Sequence, residues 1–254
     1  MHPLVTLASI LAAIFGLAAV ARAADTEITF LHSNDPHGRY VPIAVAPGDA
    51  TSQTGDPGRA PSSFTKVGEI GGISRLTTVV KRIRAERGAD KVILVAGGDT
   101  FSDDLLGNIT KGEAMIRLMN AAGYQFMALG NHDFDYGRKR TVELQTLANF
   151  PMRGANVLDE DGKPFLGDPA RIFEVAGIRI AVLGLGYHNT GETGNKKNFD
   201  GLRFVSGIDV ARERVPELRK RADAVVLVSH QGSSVDRELA RRVAGVDVII
   251  GAHS

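Results

Sequence analysis

Five short apolar runs, each breaking off into a glycine-bearing polar cluster, constrain this chain more than any other feature of its sequence. Glu27–Leu31 precedes Ser33-Asn34-Asp35-Pro36-His37-Gly38, and Val92–Val95 precedes Gly97-Gly98-Asp99-Thr100. Phe126–Leu129 runs into Gly130-Asn131-His132-Asp133-Phe134-Asp135. Ala224–Val228 runs into Ser229-His230-Gln231-Gly232, and Val246–Ile250 into Gly251-Ala252-His253-Ser254. Short runs of this kind read as buried strands. Ligands of α/β proteins bind beyond the carboxyl ends of strands, where these clusters fall.

Helical patterns separate the strands. Ile73, Leu76, Val79, Val80 and Ile83 recur at helical spacing. Thr110-Lys111-Gly112-Glu113 has the form of a capping box, opening a helix that Gly123 stops. Further helices are expected up to about Asn149, near Asp209–Ala222 and over Val235–Val243, with Pro216 marking a kink or the true start of the second. Ile172–Val175 and Ile178–Leu183, joined by Ala176-Gly177, read as a β-hairpin. A hairpin argues against a purely parallel sheet. Two sheets packed face to face between helical layers accommodate both patterns. Residues 41–70, rich in Gly, Pro, Ser and Thr, read as a long surface loop.

At the amino terminus an apolar stretch from Leu4 to about Val20 is followed by Ala21-Arg22-Ala23. That is the pattern of a secretory signal peptide cleaved after Ala23. The expected mature domain is residues 24–254, periplasmic or secreted, with no stable membrane insertion after cleavage. The 30 basic and 29 acidic residues balance, which argues against a nucleic-acid polymer as partner. The chain has no cysteine, so any metal must be held by His, Asp, Glu or Asn.

The clusters supply such donors: Asp35, His37, Asp99, Asn131, His230 and His253. Each alone is an ordinary turn or strand-end residue. Together they form a nitrogen and oxygen set suited to Zn²⁺ or Mn²⁺, with Mg²⁺ or Co²⁺ as further options. Six ligands exceed one zinc site. They suit two divalent ions about 3.5–4 Å apart sharing a carboxylate, and Asp99 is the expected bridge. His32, at the end of the first strand, and His188, on the loop after the hairpin, read as structural residues.

Asp35-Pro36-His37, Gly98-Asp99, Gly130-Asn131-His132-Asp133, His230 and Gly251-Ala252-His253 resemble the calcineurin-like metallophosphoesterases. Leu31–Gly38 and Gly130–Gly137 are similar to the branch containing 5′-nucleotidases and UDP-sugar hydrolases. The resemblance implies a four-layer α/β/β/α metallophosphatase sandwich with two facing mixed sheets. It implies one ion on Asp35, His37 and Asp99, and a second on Asp99, Asn131, His230 and His253. It makes His132 and Asp135 the catalytic pair, with His132 facing the substrate phosphate, Asp135 orienting it and Asp133 supporting the loop. The implied reaction is hydrolysis of a small nucleotide or other phosphate ester by a metal-activated water. Within the same superfamily, a 2′,3′-cyclic-nucleotide phosphodiesterase, a UDP-sugar hydrolase or a SoxB-like thiohydrolase are alternatives. A metal-binding module without catalysis is the alternative of a different class. The family pattern continues past Ser254 with a further ligand and a substrate-binding domain. A piece of a longer protein is therefore expected, with a weakly bound first metal and nucleotide selectivity largely lost.

Overall fold

The computed structural model describes residues 25–45 and 68–254. The expected signal peptide, and the part of the 41–70 loop between Val45 and Gly68, lie outside the described residues.

The strands and helices follow in this order: β1 (Thr29–Ser33), β2 (Ile43–Val45), β3 (Gly68–Ile70), α1 (Ile73–Arg87), β4 (Val92–Ala96), α2 (Leu105–Thr110), α3 (Glu113–Ala122), β5 (Phe126–Ala128), α4 (Arg138–Leu147), β6 (Met152–Arg153), β7 (Val157–Leu158), β8 (Ala170–Val175), β9 (Ile178–Leu185), α5 (Thr190–Thr193), β10 (Arg203–Phe204), α6 (Gly207–Arg219), β11 (Ala224–Ser229), α7 (Ser233–Arg242) and β12 (Val248–Gly251). Two four-stranded sheets have the orders β1-β4-β5-β6 and β12-β11-β9-β8, and β7 with β10 and β2 with β3 form two-stranded sheets.

Strand β4 shows why the sequence takes this form. All five of its residues are buried, because both of its faces are covered. Ile93 and Val95 meet Val182, Val226, Val228 and Ile250 of the second sheet. Leu94 and Ala96 point the other way, into a core shared with Met115, Ile116 and Met119 of α3. The second sheet repeats the arrangement, with Leu183, Leu185, Val225 and Leu227 packed against Val215 and Leu218 of α6 and Leu239 of α7. Strands covered on both faces need a continuous apolar run rather than alternation. The result is the four-layer α/β/β/α sandwich.

The two sheets differ in kind. Among the described strands the first sheet is wholly parallel, whereas both were expected to be mixed. Only the second is mixed: β9, β11 and β12 run parallel and β8 pairs antiparallel with β9. The physical reason is that the antiparallel partner comes from the hairpin alone. Its turn, Ala176-Gly177, has φ of 50° and 80°, the left-handed pair that matches the twist of two adjoining strands.

Several local expectations shift. The capping box does not form as such. Thr110 closes α2, and Lys111 and Gly112 are left-handed, with φ 48° and 83°, so α3 starts afresh at Glu113. Half of the motif survives, since Ala114 N donates to Thr110 Oγ at 3.2 Å, while Glu113 instead accepts from Arg117. Pro216 neither starts nor stops α6, which begins at Gly207 with Ser206 Oγ accepting from Asp209 N. Strand β1 extends to Ser33, leaving His32 exposed rather than packed.

Candidate metal centre

Both sheets deliver their carboxyl ends to one edge of the sandwich, and two contacts lock them together there. His230 Nδ1 lies 2.7 Å from Gly97 O, joining the end of β11 to the end of β4. His253 N donates to Asp35 Oδ2 at 3.0 Å, joining the residues after β12 to those after β1.

The loops are held open by backbone conformations that side chains rarely adopt. Asp35, His37, Asp99 and His253 have φ of 50°, 46°, 50° and 72°. Non-glycine residues in this region cost about 1–3 kcal/mol each, and they persist where the surroundings over-determine them. Part of that determination comes from Asp133, which is buried. Its Oδ2 accepts from Asp99 N (3.0 Å) and Gly130 N (2.7 Å), and its Oδ1 from Thr100 N (2.8 Å). One carboxylate thus clamps the loop after β4 to the loop after β5. Burial, followed by the charge of Asp99, raises its pKa to about 7 against the pull of those N–H groups.

Asp35, Asp99, His230 and His253 offer ligand atoms that all lie within 4.8 Å of one another. Asp99 is the centre of the group. Its Oδ2 is 3.0 Å from His230 Nε2 and 3.8 Å from His37 Nε2, and its Oδ1 accepts from His132 N at 2.8 Å. Asp35 Oδ1 stands 3.9 Å from His230 Nε2, so Asp35 reaches the His230 side of the centre while lining the cleft beside His37 and Arg39.

The donor chemistry fits divalent ions. In a neutral His230 ring, Nδ1 donates its hydrogen to Gly97 O, which leaves the Nε2 lone pair facing Asp99 Oδ2. His253 Nδ1 also points there, 3.2 Å from His230 Nε2. Lone pairs that converge in this way repel unless a cation lies among them. A proton on His230 can meet the same need: burial lowers the His230 pKa, but the bond to Asp99 and the charges of Asp99 and Asp35 raise it on balance. Asp99 is correspondingly held below the usual carboxylate range; burial pushes it up, and the His230 and His132 contacts outweigh that. Burial and then the His230 charge lower the His253 pKa, keeping that ring a lone-pair donor. The side-chain oxygen of Asn131 is buried with no hydrogen-bond partner, as expected of a group whose partner is a metal ion.

His132 and Asp135 stand beside this group. His132 Nδ1 lies 2.9 Å from Asp135 Oδ2, and Ser102 Oγ donates to the same oxygen at 2.6 Å. Burial lowers the His132 pKa, but the Asp135 bond and the charges of Asp99, Asp135 and Asp103 raise it overall.

The structure thus brings all eight sequence-derived site residues to one edge. Sequence reasoning missed three others. Ser102 and Asp103 follow Asp99 so closely that the run Ser102-Asp103-Asp104 could have flagged them. Tyr187, whose ring stacks on His253 with centroids 4.0 Å apart, carries no signal at all. His188, next to it, has a buried Nδ1 without a hydrogen-bond partner.

The family model described as calcineurin-like phosphoesterase matches residues 28–254. The chain belongs to that family. A probable 5′-nucleotidase of Treponema pallidum is 31% identical over 237 residues, covering 91% of this chain and 37% of the relative. Among solved structures, the sulfate thiohydrolase SoxB of Thermus thermophilus superposes with a TM-score of 0.79 at 27% identity, over 90% of this chain and 48% of that one. A 5′-nucleotidase precursor from Thermus thermophilus gives 0.74 at 29% identity, over 89% and 41%. The chain therefore spans less than half the length of these relatives. For a calcineurin-like phosphoesterase the donor cluster and the family agree on divalent metal as the cofactor.

Proposed function

We propose that this calcineurin-like phosphoesterase is an exported two-metal phosphohydrolase that cleaves nucleotide phosphate esters in the manner of a 5′-nucleotidase. The observation that carries the reading is the position of Asp99 Oδ2 between His37 Nε2 and His230 Nε2, with the His132–Asp135 pair tied to the same carboxylate. Asp35, His37 and Asp99 would hold one ion, and Asp99, Asn131, His230 and His253 the other. Zinc or manganese suits these donors best, with magnesium or cobalt as substitutes.

When bound, such ions neutralise phosphate charge and acidify a water for in-line attack. The chain's own contribution is positional and electrostatic. Asp135 accepts the Nδ1 hydrogen of His132, fixing the ring so that Nε2 faces the cleft. Protonated there, Nε2 donates to a phosphate oxygen and meets the charge that grows during transfer. Ser102 holds Asp135 in turn. These parts exceed what metal storage requires, which disfavours a module that binds metal without catalysis.

The substrate class rests on the 5′-nucleotidase relatives, and export on the apolar segment ending at Ala21-Arg22-Ala23. Among the described residues, no helix is long and apolar enough to cross a membrane. The similarity to a sulfate thiohydrolase supports a second reading, in which the same centre cleaves a sulfur ester.

The test measures metal content and hydrolysis of AMP, UDP-glucose, bis(p-nitrophenyl) phosphate and a thiosulfate ester, with and without His132→Ala. Bound metal and His132-dependent release of phosphate from AMP are expected. His132-dependent cleavage of the sulfur ester alone would select the second reading. A folded sample that binds no metal would sink both.

A further inference from the structure

We propose that Asp103 is a positioning residue for the metal centre: it accepts the Nδ1 hydrogen of His37 and so leaves His37 Nε2 bare for the ion held with Asp99. The inference rests on the two-metal reading above.

His37 has two ring nitrogens and two carboxylate neighbours. Its Nδ1 is 2.8 Å from Asp103 Oδ2, a full hydrogen bond. Its Nε2 is 3.8 Å from Asp99 Oδ2, too far for one. A carboxylate oxygen can only accept, so the short contact puts the hydrogen of the neutral ring on Nδ1. Nε2 then carries a lone pair aimed toward the carboxylate at the centre of the site. Ligand histidines commonly donate their second nitrogen to such an outer carboxylate, and removing it costs about 10- to 100-fold in metal affinity.

The backbone supports the same reading. Asp103 has φ 78°, where glycine would be free of the steric penalty. Neither of its neighbours needs that side chain. Asp104 caps α2, accepting from Leu106 N through its own carboxylate, and Ser102 serves Asp135. The aspartate at 103 is half exposed, so it contributes little buried area; among the described residues its one hydrogen bond is with His37, with His132 and Asp135 within 4.8 Å.

His230 and His37 are then set by different means. His230 takes its tautomer from a backbone carbonyl, Gly97 O. His37 depends on a side chain and can be altered singly. Losing Asp103 should weaken one ion and spare the other.

The experiment is calorimetric titration of the apo chain with Mn²⁺ and with Zn²⁺, for wild type, Asp103→Ala and Asp103→Asn. Long-range nitrogen–proton NMR on the His37 ring and thermal unfolding of the apo forms accompany it. Wild type should bind two ions and show the His37 hydrogen on Nδ1. Asp103→Ala should weaken one ion about 10- to 100-fold, leave the other within about twofold, and shift the His37 hydrogen to Nε2. Asp103→Asn, whose amide oxygen can accept the same hydrogen, should keep most of the affinity. The apo unfolding midpoint should not fall in either variant. Two ions bound at unchanged affinity by Asp103→Ala would overturn the proposal and leave the two-metal reading intact. Equal loss in Ala and Asn variants, or loss of both ions with a lowered apo midpoint, would also overturn it. A folded wild type that binds no ion would overturn both readings together.

Discussion

Tyr187 lies nearly flat against His253, ring centroids 4.0 Å apart and planes inclined by 29°. The contact supports the ring of His253, a proposed ligand whose backbone is left-handed. Stacked aromatic pairs contribute about 0.5–1.5 kcal/mol beyond burial. Tyr187→Ala should therefore loosen His253 and weaken the ion on the His230 side by about 3- to 10-fold, the equivalent of that stacking energy. Tyr187→Phe keeps the ring and should bind as wild type. Titration with Zn²⁺ separates them; equal affinities in all three forms would mean that the stack has no part in holding the ligand.

Gly98 lies where the loops after β4, β5 and β11 approach closely. Its φ is 104°, and a Cβ there would stand 2.6 Å from Gly130 N and 2.8 Å from His230 Nδ1. Gly98→Ala adds a strained backbone to a clash with main chain, and should cost about 2–4 kcal/mol in stability. It should also abolish high-affinity metal binding although it removes no ligand. Chemical denaturation and metal analysis check both effects. Gly137→Ala is the control, because nothing lies within 4 Å of its added carbon, leaving only the backbone strain of φ 89°.

Much of this was legible in the chain. The uninterrupted run Val92–Val95 announced a buried strand, and Ala176-Gly177 announced its hairpin, so two facing sheets followed. The donor cluster was legible because metal chemistry restricts donor types: Asp99 after two glycines, and His230 and His253 after apolar runs, had few other roles in common, and the fold brings them within 4.8 Å of one another. Tyr187 was not legible, since a tyrosine after a strand is an ordinary core or surface residue until its neighbour across the site is known. The same holds for Asp103, whose partner is 66 positions away. The parallel character of the first sheet was hidden as well, because strand direction is set by crossover packing rather than by the strands' own residues.

The pH dependence follows from five shifts at the centre, of which the lowered His253 works against the three raised groups, its neutral ring gaining stability as pH rises toward about 6.5. Asp133, His132 and His230 have raised folded pKa values. A raised group contributes stability that is fully present below its unfolded pKa and is lost as pH rises through the folded value. For Asp133 that window runs from about 4 to about 7, and for the two histidines it lies above their ordinary value near 6.5. Asp99 is lowered, so its contribution is lost only at pH below the normal carboxylate range. The apo protein should therefore lose stability as pH rises from about 5 to about 8. Metal should reverse the trend, because the ligands bind ions in their deprotonated forms. Thermal unfolding across that range, with EDTA and with Zn²⁺, should show the two curves diverging as pH rises; parallel curves would refute the coupling.

The last prediction concerns the chain Ser102–Asp135–His132. Ser102 Oγ and His132 Nδ1 share Asp135 Oδ2, at 2.6 Å and 2.9 Å. An asparagine at 135 could place its oxygen where Oδ2 stands and accept from both, but it carries no negative charge to hold the proton on His132. Asp135→Asn should lower kcat by about 10²-fold, within the range for loss of an acid–base partner, with KM changed little and both ions retained. Ser102→Ala leaves the His132–Asp135 bond in place and frees the carboxylate to swing, so a smaller loss, about 3- to 10-fold, is expected from the one hydrogen bond removed. If Asp135 acts only through His132, the double variant Asp135→Asn with His132→Ala should be no slower than His132→Ala alone. A further drop in the double variant would show that Asp135 acts through some route other than that ring.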